Sequence, residues 1–250
     1  MTAIRRLAAQ RADVLSALLV LLAWVVISEV WHPMWLPTVP SVLGELWRLI
    51  SDGSLAFLGE TGFTLLVGLL ATFVISGALA VVMAASETIE EAFLPFVNAF
   101  LSTPHIALIP MFTFIWGNSE LTRIVTTVSF AIAPVTLTWV AALKTTHPEL
   151  IEMAGSFGAG PLARARFVRL PAAVSPIIAG ARIGVMQGIK GVVSAEVIIG
   201  VVGIGKLITT ASHTFNMPQL FAIVIIIVVI SIVVYLILTR IEQSVTRWNG

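Results

Sequence analysis

Few residues in this 250-residue chain have the types and spacing to do chemistry. Gly200-Val201-Val202-Gly203-Ile204-Gly205-Lys206 fits the first seven positions of a glycine-rich loop, whose backbone amides and lysine cradle phosphates. The eighth position should offer a hydroxyl to magnesium and is Leu207. The segment also follows an apolar run, not a soluble strand, so a flexible turn is expected and nucleotide chemistry is assigned to a separate polypeptide. Lys190 and Glu196 are ionisable groups inside that run, where they are costly unless they face protein or a water-filled path. Separated by ~600° of helical rotation, they cannot pair within one helix. Lys190 suits attraction of an anionic solute or pairing with an acid across a dimer interface. Glu196 suits either a gate or a hydrated, helix-contacting acid at the mouth. Pro104, His105 and Pro110 interrupt another apolar run, and freed backbone groups are tolerated only against protein or a wet cavity. Pro104, His105, Lys190 and Glu196 are therefore the candidate path residues. His32, His147 and His213 fall on other segments, so a metal site at His105 has little support. Cysteine is absent, which removes disulfides, thiolate metal sites and cysteine nucleophiles. No paired acids or Ser–His arrangement suggest an intramembrane enzyme, and no catalytic, metal or cofactor-binding residue is expected.

The elements that must position these residues are membrane helices. Hydrophobic residues make up 58% of the chain and charged residues 11%, with mean hydropathy +1.03. Such a chain cannot hide its apolar surface from water and reads as an all-α, polytopic membrane protein. Six spans are expected, over about 14–30, 61–86, 92–117, 121–143, 172–200 and 219–239. The first follows Arg5, Arg6 and Arg11 without a small-residue cleavage site, so it reads as a retained span, not a signal peptide. Residues 41–51 place Val42, Leu43, Leu46, Leu49 and Ile50 on one face, as an interfacial amphipathic helix would. The small-residue run Gly62, Gly68, Ala71, Ser76, Gly77 and Ala80 suits close helix packing.

An even number of crossings puts both termini on one side. With that side cytoplasmic, the inner segments carry Arg5, Arg6, Arg11, Lys144, Arg164, Arg166, Arg169, Arg240 and Arg247, and the outer ones only Arg48, Arg123 and Lys206. This agrees with the positive-inside rule. Trp24, Trp31, Trp35, Trp47 and Trp116 fall near the expected outer boundaries, as interfacial aromatics do. The sizeable polar segment, 144–171, is then cytoplasmic and is where a cytoplasmic partner must dock. It reads as two short helices. Pro148 starts the first, Glu149 and Glu152 favour its positive end, and Leu150, Ile151, Ala154 and Phe157 give it an apolar side. Gly158 and Gly160 end it, and Pro161 starts a second helix over 162–170, which Pro171 ends.

Glu152-Met153-Ala154, Gly158 and Val168-Arg169-Leu170-Pro171 resemble the "EAA" loop of ABC importer permeases, at the family's spacing, with Met153 and Val168 as apolar departures. Ser102-Thr103-Pro104, Ile109-Pro110 and Ile115-Trp116-Gly117 are similar to the third span of the nitrate/sulfonate/taurine-type permeases. Ile178-Ala179-Gly180-Ala181-Arg182, Ala195-Glu196-Val197-Ile198 and Gly203-Ile204-Gly205 are similar to their fifth span and following loop. The resemblance implies a type I ABC importer permease fold acting as a homodimer. Glu149, Glu152, Ala154, Gly155, Gly158, Arg166 and Pro171 would couple to two copies of a separate ATPase that binds ATP and magnesium. It further implies delivery of the solute by a binding protein, and residence in the inner or plasma membrane of a prokaryote. Arg182, nearer the cytoplasm, is expected to pack against the coupling region. The substrates open to this group are nitrate, sulfonates, taurine, aromatic acids and vitamin precursors; Lys190 tilts the reading to an anion. A stand-alone secondary transporter using Lys190, Glu196 and the broken third span is the rival.

Overall fold

The computed structural model describes residues 2–144 and 148–246; His147 and Arg247 lie outside them. Every element among the described residues is helical: α1 Thr2–Val30, α2 Val39–Ser51, α3 Phe57–Ala85, α4 Glu87–Leu101, α5 Ile109–Trp116, α6 Glu120–Lys144, α7 Pro148–Ser156, α8 Pro161–Arg164, α9 Leu170–Ile199, α10 Gly203–His213 and α11 Met217–Thr246. Within α3, α6, α9 and α11 lie four stretches long and apolar enough to cross a membrane, and α4 with α5 qualify as a pair bent by 86°. The apolar part of α1, Leu18–Val30, is shorter than a span. Against the six crossings expected, the described residues thus give four helices, one bent pair and one shorter apolar segment.

The chain divides into two compact units, one holding the residues up to Ala56 with Leu207–Ile227, the other Phe57–Lys206 with the residues from Val228 onward. In the first, Trp24 donates its indole N–H to the Pro37 carbonyl (2.9 Å) and packs its ring 5.7 Å from Phe221. α2 buries Val42 and Leu49 but leaves Leu43 and Ile50 exposed, a narrower apolar contact than the sequence stripe suggests. Asn216 caps α11 by accepting the Gln219 amide (3.2 Å).

The second unit is built on α6, which packs against both α3 and α9. Without a hydrophobic driving force in lipid, membrane helices associate through small residues and short polar side chains that let backbones approach. α3 accordingly turns Thr61, Thr64, Gly68, Thr72, Ser76 and Ala80 inward. A Cβ on Gly68 would stand 2.7 Å from Thr127, and one on Gly77 3.3 Å from Trp139, whereas Gly62 faces open space. The tighter row, on α9, was not singled out in sequence. A Cβ at Gly180 would meet Trp139 at 2.6 Å, at Gly184 Val135 at 2.6 Å, at Gly188 Leu69 at 2.9 Å, and at Gly191 the Thr127 backbone at 3.0 Å. The Gly180 notch brings the Trp139 indole within 2.9 Å of the Ile177 carbonyl, to which it donates.

Candidate functional site

Three places carry the residues singled out above. In the first, α7 closes by a Schellman arrangement. Gly158, at φ +79°, donates its amide to the Gly155 carbonyl (2.9 Å), and the Ala159 amide reaches the Ala154 carbonyl (3.0 Å). That left-handed residue is one a side chain would strain, which is why glycine stands there. α7 packs against α8 and a π-helical turn, Ala165–Arg169. Arg164 lies over Gly155, its Nη1 3.6 Å from where a Cβ would stand. Glu149 and Glu152 are exposed and Ala154 is half-buried. Two expectations change. Phe157 belongs to no packed side of α7: it is 86% exposed, with Phe167 (72%) and Met153 (53%) also bare. Arg166, exposed, holds its guanidinium 5.7 Å above the Phe167 ring. Pro171, moreover, ends no helix. It sits in the first turn of α9, and the chain passes from the π-helical turn straight into that helix.

The second place is the bend between α4 and α5. Pro95 lies inside α4 and Pro110 in the first turn of α5, so the break falls at Ser102–Pro104 alone. Proline disfavours helix in the residue before it. Ser102 and Thr103 donate their hydroxyls back to the Asn98 (3.0 Å) and Ala99 (2.9 Å) carbonyls. Pro104 is exposed, and His105 is half-buried between Phe100 and Phe130, with ring centroids at 5.0 and 5.3 Å.

The third place joins residues far apart in sequence. Glu196 is fully buried, with its carboxylate 3.5 Å from the guanidinium of Arg123, itself 9% exposed. Thr61 donates to Glu196 Oε2 (2.8 Å) and accepts the Ile204 amide (3.0 Å). Glu196 Oε2 also accepts the Gly205 amide (3.3 Å), and Glu60 accepts that of Gly203 (3.0 Å). The first three amides of α10, which no helical carbonyl can satisfy, are thus met by two carboxylates and a hydroxyl. A Cβ on Gly203 would stand 2.2 Å from the Glu196 carboxylate, and one on Gly205 2.1 Å from the Glu196 backbone. The glycine-rich stretch is therefore no flexible turn: from Gly203 it is the capped start of a helix. Arg123 leaves the tally of exposed outer cations, because it lies inside α6. Glu196, named above as a candidate path residue, has no exposed surface in this arrangement and stands as a helix-contacting acid. Lys190, by contrast, is exposed and donates to Gln187 on its own helix (3.0 Å). Among the described contacts Arg182 is met from α11, by Glu242 (2.9 Å) and Thr239 (3.2 Å), with Tyr235 under its guanidinium.

Sequence reading missed Glu60, Thr61 and Arg123. The one local signal was an acid within an apolar run, followed within a few residues by glycines at alternate positions.

Comparison with known proteins places this arrangement. The taurine transport system permease protein of Escherichia coli is 26% identical over 94% of this chain and 88% of its own length. The riboflavin transport system permease protein of Chloroflexus aurantiacus is 27% identical over 65% of this chain, and the match spans 60% of that protein. A chain of the MetNI methionine ABC transporter, solved in inward-facing conformations, superposes with a TM-score of 0.67 at 22% identity, covering 77% of this chain and 95% of that one; this likeness shows the fold. Residues 74–247 match the family model for the binding-protein-dependent transport system inner membrane component. The chain belongs to that family, as a multi-pass ABC transport permease and not an enzyme.

Proposed function

We propose that this permease works as a homodimer that imports a small anionic solute, with 148–169 seated on a separate ATPase at the cytoplasmic face and both termini on that face. ATP and magnesium are bound by the ATPase, of which the dimer holds two copies, and a binding protein delivers the solute at the outer face of a prokaryotic cell membrane. The observation that carries the reading is the knob itself: a compact, capped helical turn presenting bare aromatic rings beside an arginine in a segment too polar for lipid. Exposed apolar patches of this kind mark a surface that another protein covers. Glu149, Glu152, Ala154, Gly155, Gly158, Arg166 and Pro171 belong to this knob and its junction with α9. Pro104 and His105 at the bend, and Lys190 at mid-helix, line the path. Sulfonate-bearing substrates, taurine among them through the sulfonate end of its zwitterion, are favoured over riboflavin-type ones because Lys190 is a cation on an exposed part of a membrane helix.

The test is co-purification of the ATPase with a chain whose residues 149–171 are scrambled, alongside taurine uptake by intact complexes in liposomes. Association should be lost with the scrambled segment; retained association and uptake sink the coupling reading. Lys190→Ala should weaken taurine uptake by about tenfold, the scale of one charge-assisted contact, with assembly unchanged. Gradient-driven uptake by the permease alone would favour the stand-alone transporter.

A further inference from the structure

α9 begins at Leu170, directly on the π-helical turn that closes the knob, and runs unbroken to Ile199. At about 1.5 Å per residue it is a rod of about 45 Å. Along its length the glycine notches at 180, 184, 188 and 191 seat it against bulky side chains of α3 and α6. Near its far end, Glu196 reaches three other elements: α3 through Thr61, α6 through Arg123, and the first turn of α10 through the Gly205 amide. Separating any of these partners leaves a buried charge or amide without its counterpart, which low-dielectric surroundings penalise heavily. Lateral movement of one element at this end must therefore carry the others. The fit is also steric, since Gly203 and Gly205 touch Glu196 where any side chain would collide.

We infer that Glu196 is a positioning residue of the transport cycle: it ties the far ends of α3, α6 and α9 and the first turn of α10 into one body, so that a displacement entering α9 at the knob reaches α3 and α6 at the opposite end of the helix. The inference rests on the proposal that the knob receives its motion from an ATPase.

The absence of native cysteine allows single nitroxide labels at Ile198→Cys on α9 and at Phe63→Cys on α3, both exposed in this chain. In bilayer discs holding the permease with its ATPase, the distance between labels on the two permease copies is read without nucleotide and with ATP plus vanadate. In the otherwise wild-type chain both positions should shift. In Thr61→Val, which keeps the shape and removes the hydroxyl, and in Glu196→Gln, which keeps the shape and removes the charge, the shift at Phe63 should fall by at least half. That at Ile198 should persist, and the ATPase should still co-purify. An undiminished shift at Phe63 in both variants overturns the tie, and so does loss at both labels, which a general loosening of the fold would produce. If Glu196→Gln does not assemble, Thr61→Val decides. Failure of the unmutated complex to bind ATPase, or to shift at all, refutes the coupling proposal instead.

Discussion

The two ends of α9 meet their surroundings in opposite ways. At Leu170 the neighbouring knob satisfies its own backbone through a left-handed glycine and leaves Phe157 and Phe167 bare. At Glu196 a carboxylate with no exposed surface is held by side chains from two other helices and the Gly205 amide of a third. One end caps its own helix and leaves apolar rings uncovered; the other is fully covered, and there Glu196 Oε1 faces Arg123 Nη1 as an ion pair at 3.5 Å without a hydrogen bond. An end of the first kind suits the docking proposed for the knob, and an end of the second kind holds its own helices together.

Substitutions that separate association from stability probe this contrast most directly. Replacing Phe157 and Phe167 together by Ala should weaken ATPase association by about 100-fold or more, as loss of two aromatic anchors does. Thermal unfolding of the detergent-solubilised permease should stay within about 0.5 kcal/mol of wild type, because both rings are exposed. A comparable loss of permease stability would show that the rings pack inside the fold and would break the comparison at its exposed end. Next in size, Gly205→Ala puts a methyl group into the Glu196 backbone and should cost about 2–3 kcal/mol by overpacking. A lowered Tm with a normal ATPase affinity at the knob is the expected pattern; an unchanged Tm would mean the far end is not closely packed. Smallest is Gly158→Ala, which forces a side chain to φ +79° and should cost about 1 kcal/mol. Amide exchange at Gly158 and Ala159 should rise with it, and a silent substitution would remove the Schellman closure from the account.

What was legible in the sequence follows the same division. The knob lies within one short stretch, so helix starts, the capping glycine and the spacing from Glu152 to Pro171 could be read without any tertiary contact. Pro171 was misassigned because a proline can equally follow one helix or open the next, and only the backbone decides. The Glu196 cluster joins positions 60, 61, 123, 196 and 203–205, and no local pattern announces contacts of such separation. Arg123 looked like an outer cation because it stands at the very edge of an expected span; inside α6 its charge is met by an acid from another helix. The glycines at 203 and 205 looked like flexibility for the same reason. Their lack of side chains serves contact, since what they leave room for is Glu196.

The hydroxyls of Ser102 and Thr103 let the bend between α4 and α5 answer its backbone from within the chain. The Asn98 carbonyl keeps the Ser102 amide (3.1 Å) and gains the Ser102 hydroxyl as a second donor, and the Ala99 carbonyl takes the Thr103 hydroxyl, so neither carbonyl needs water, lipid or a second subunit to satisfy it. What the bend turns toward its surroundings is then side-chain contour and the ring faces of Phe100 and His105, with the main chain at those two carbonyls already occupied.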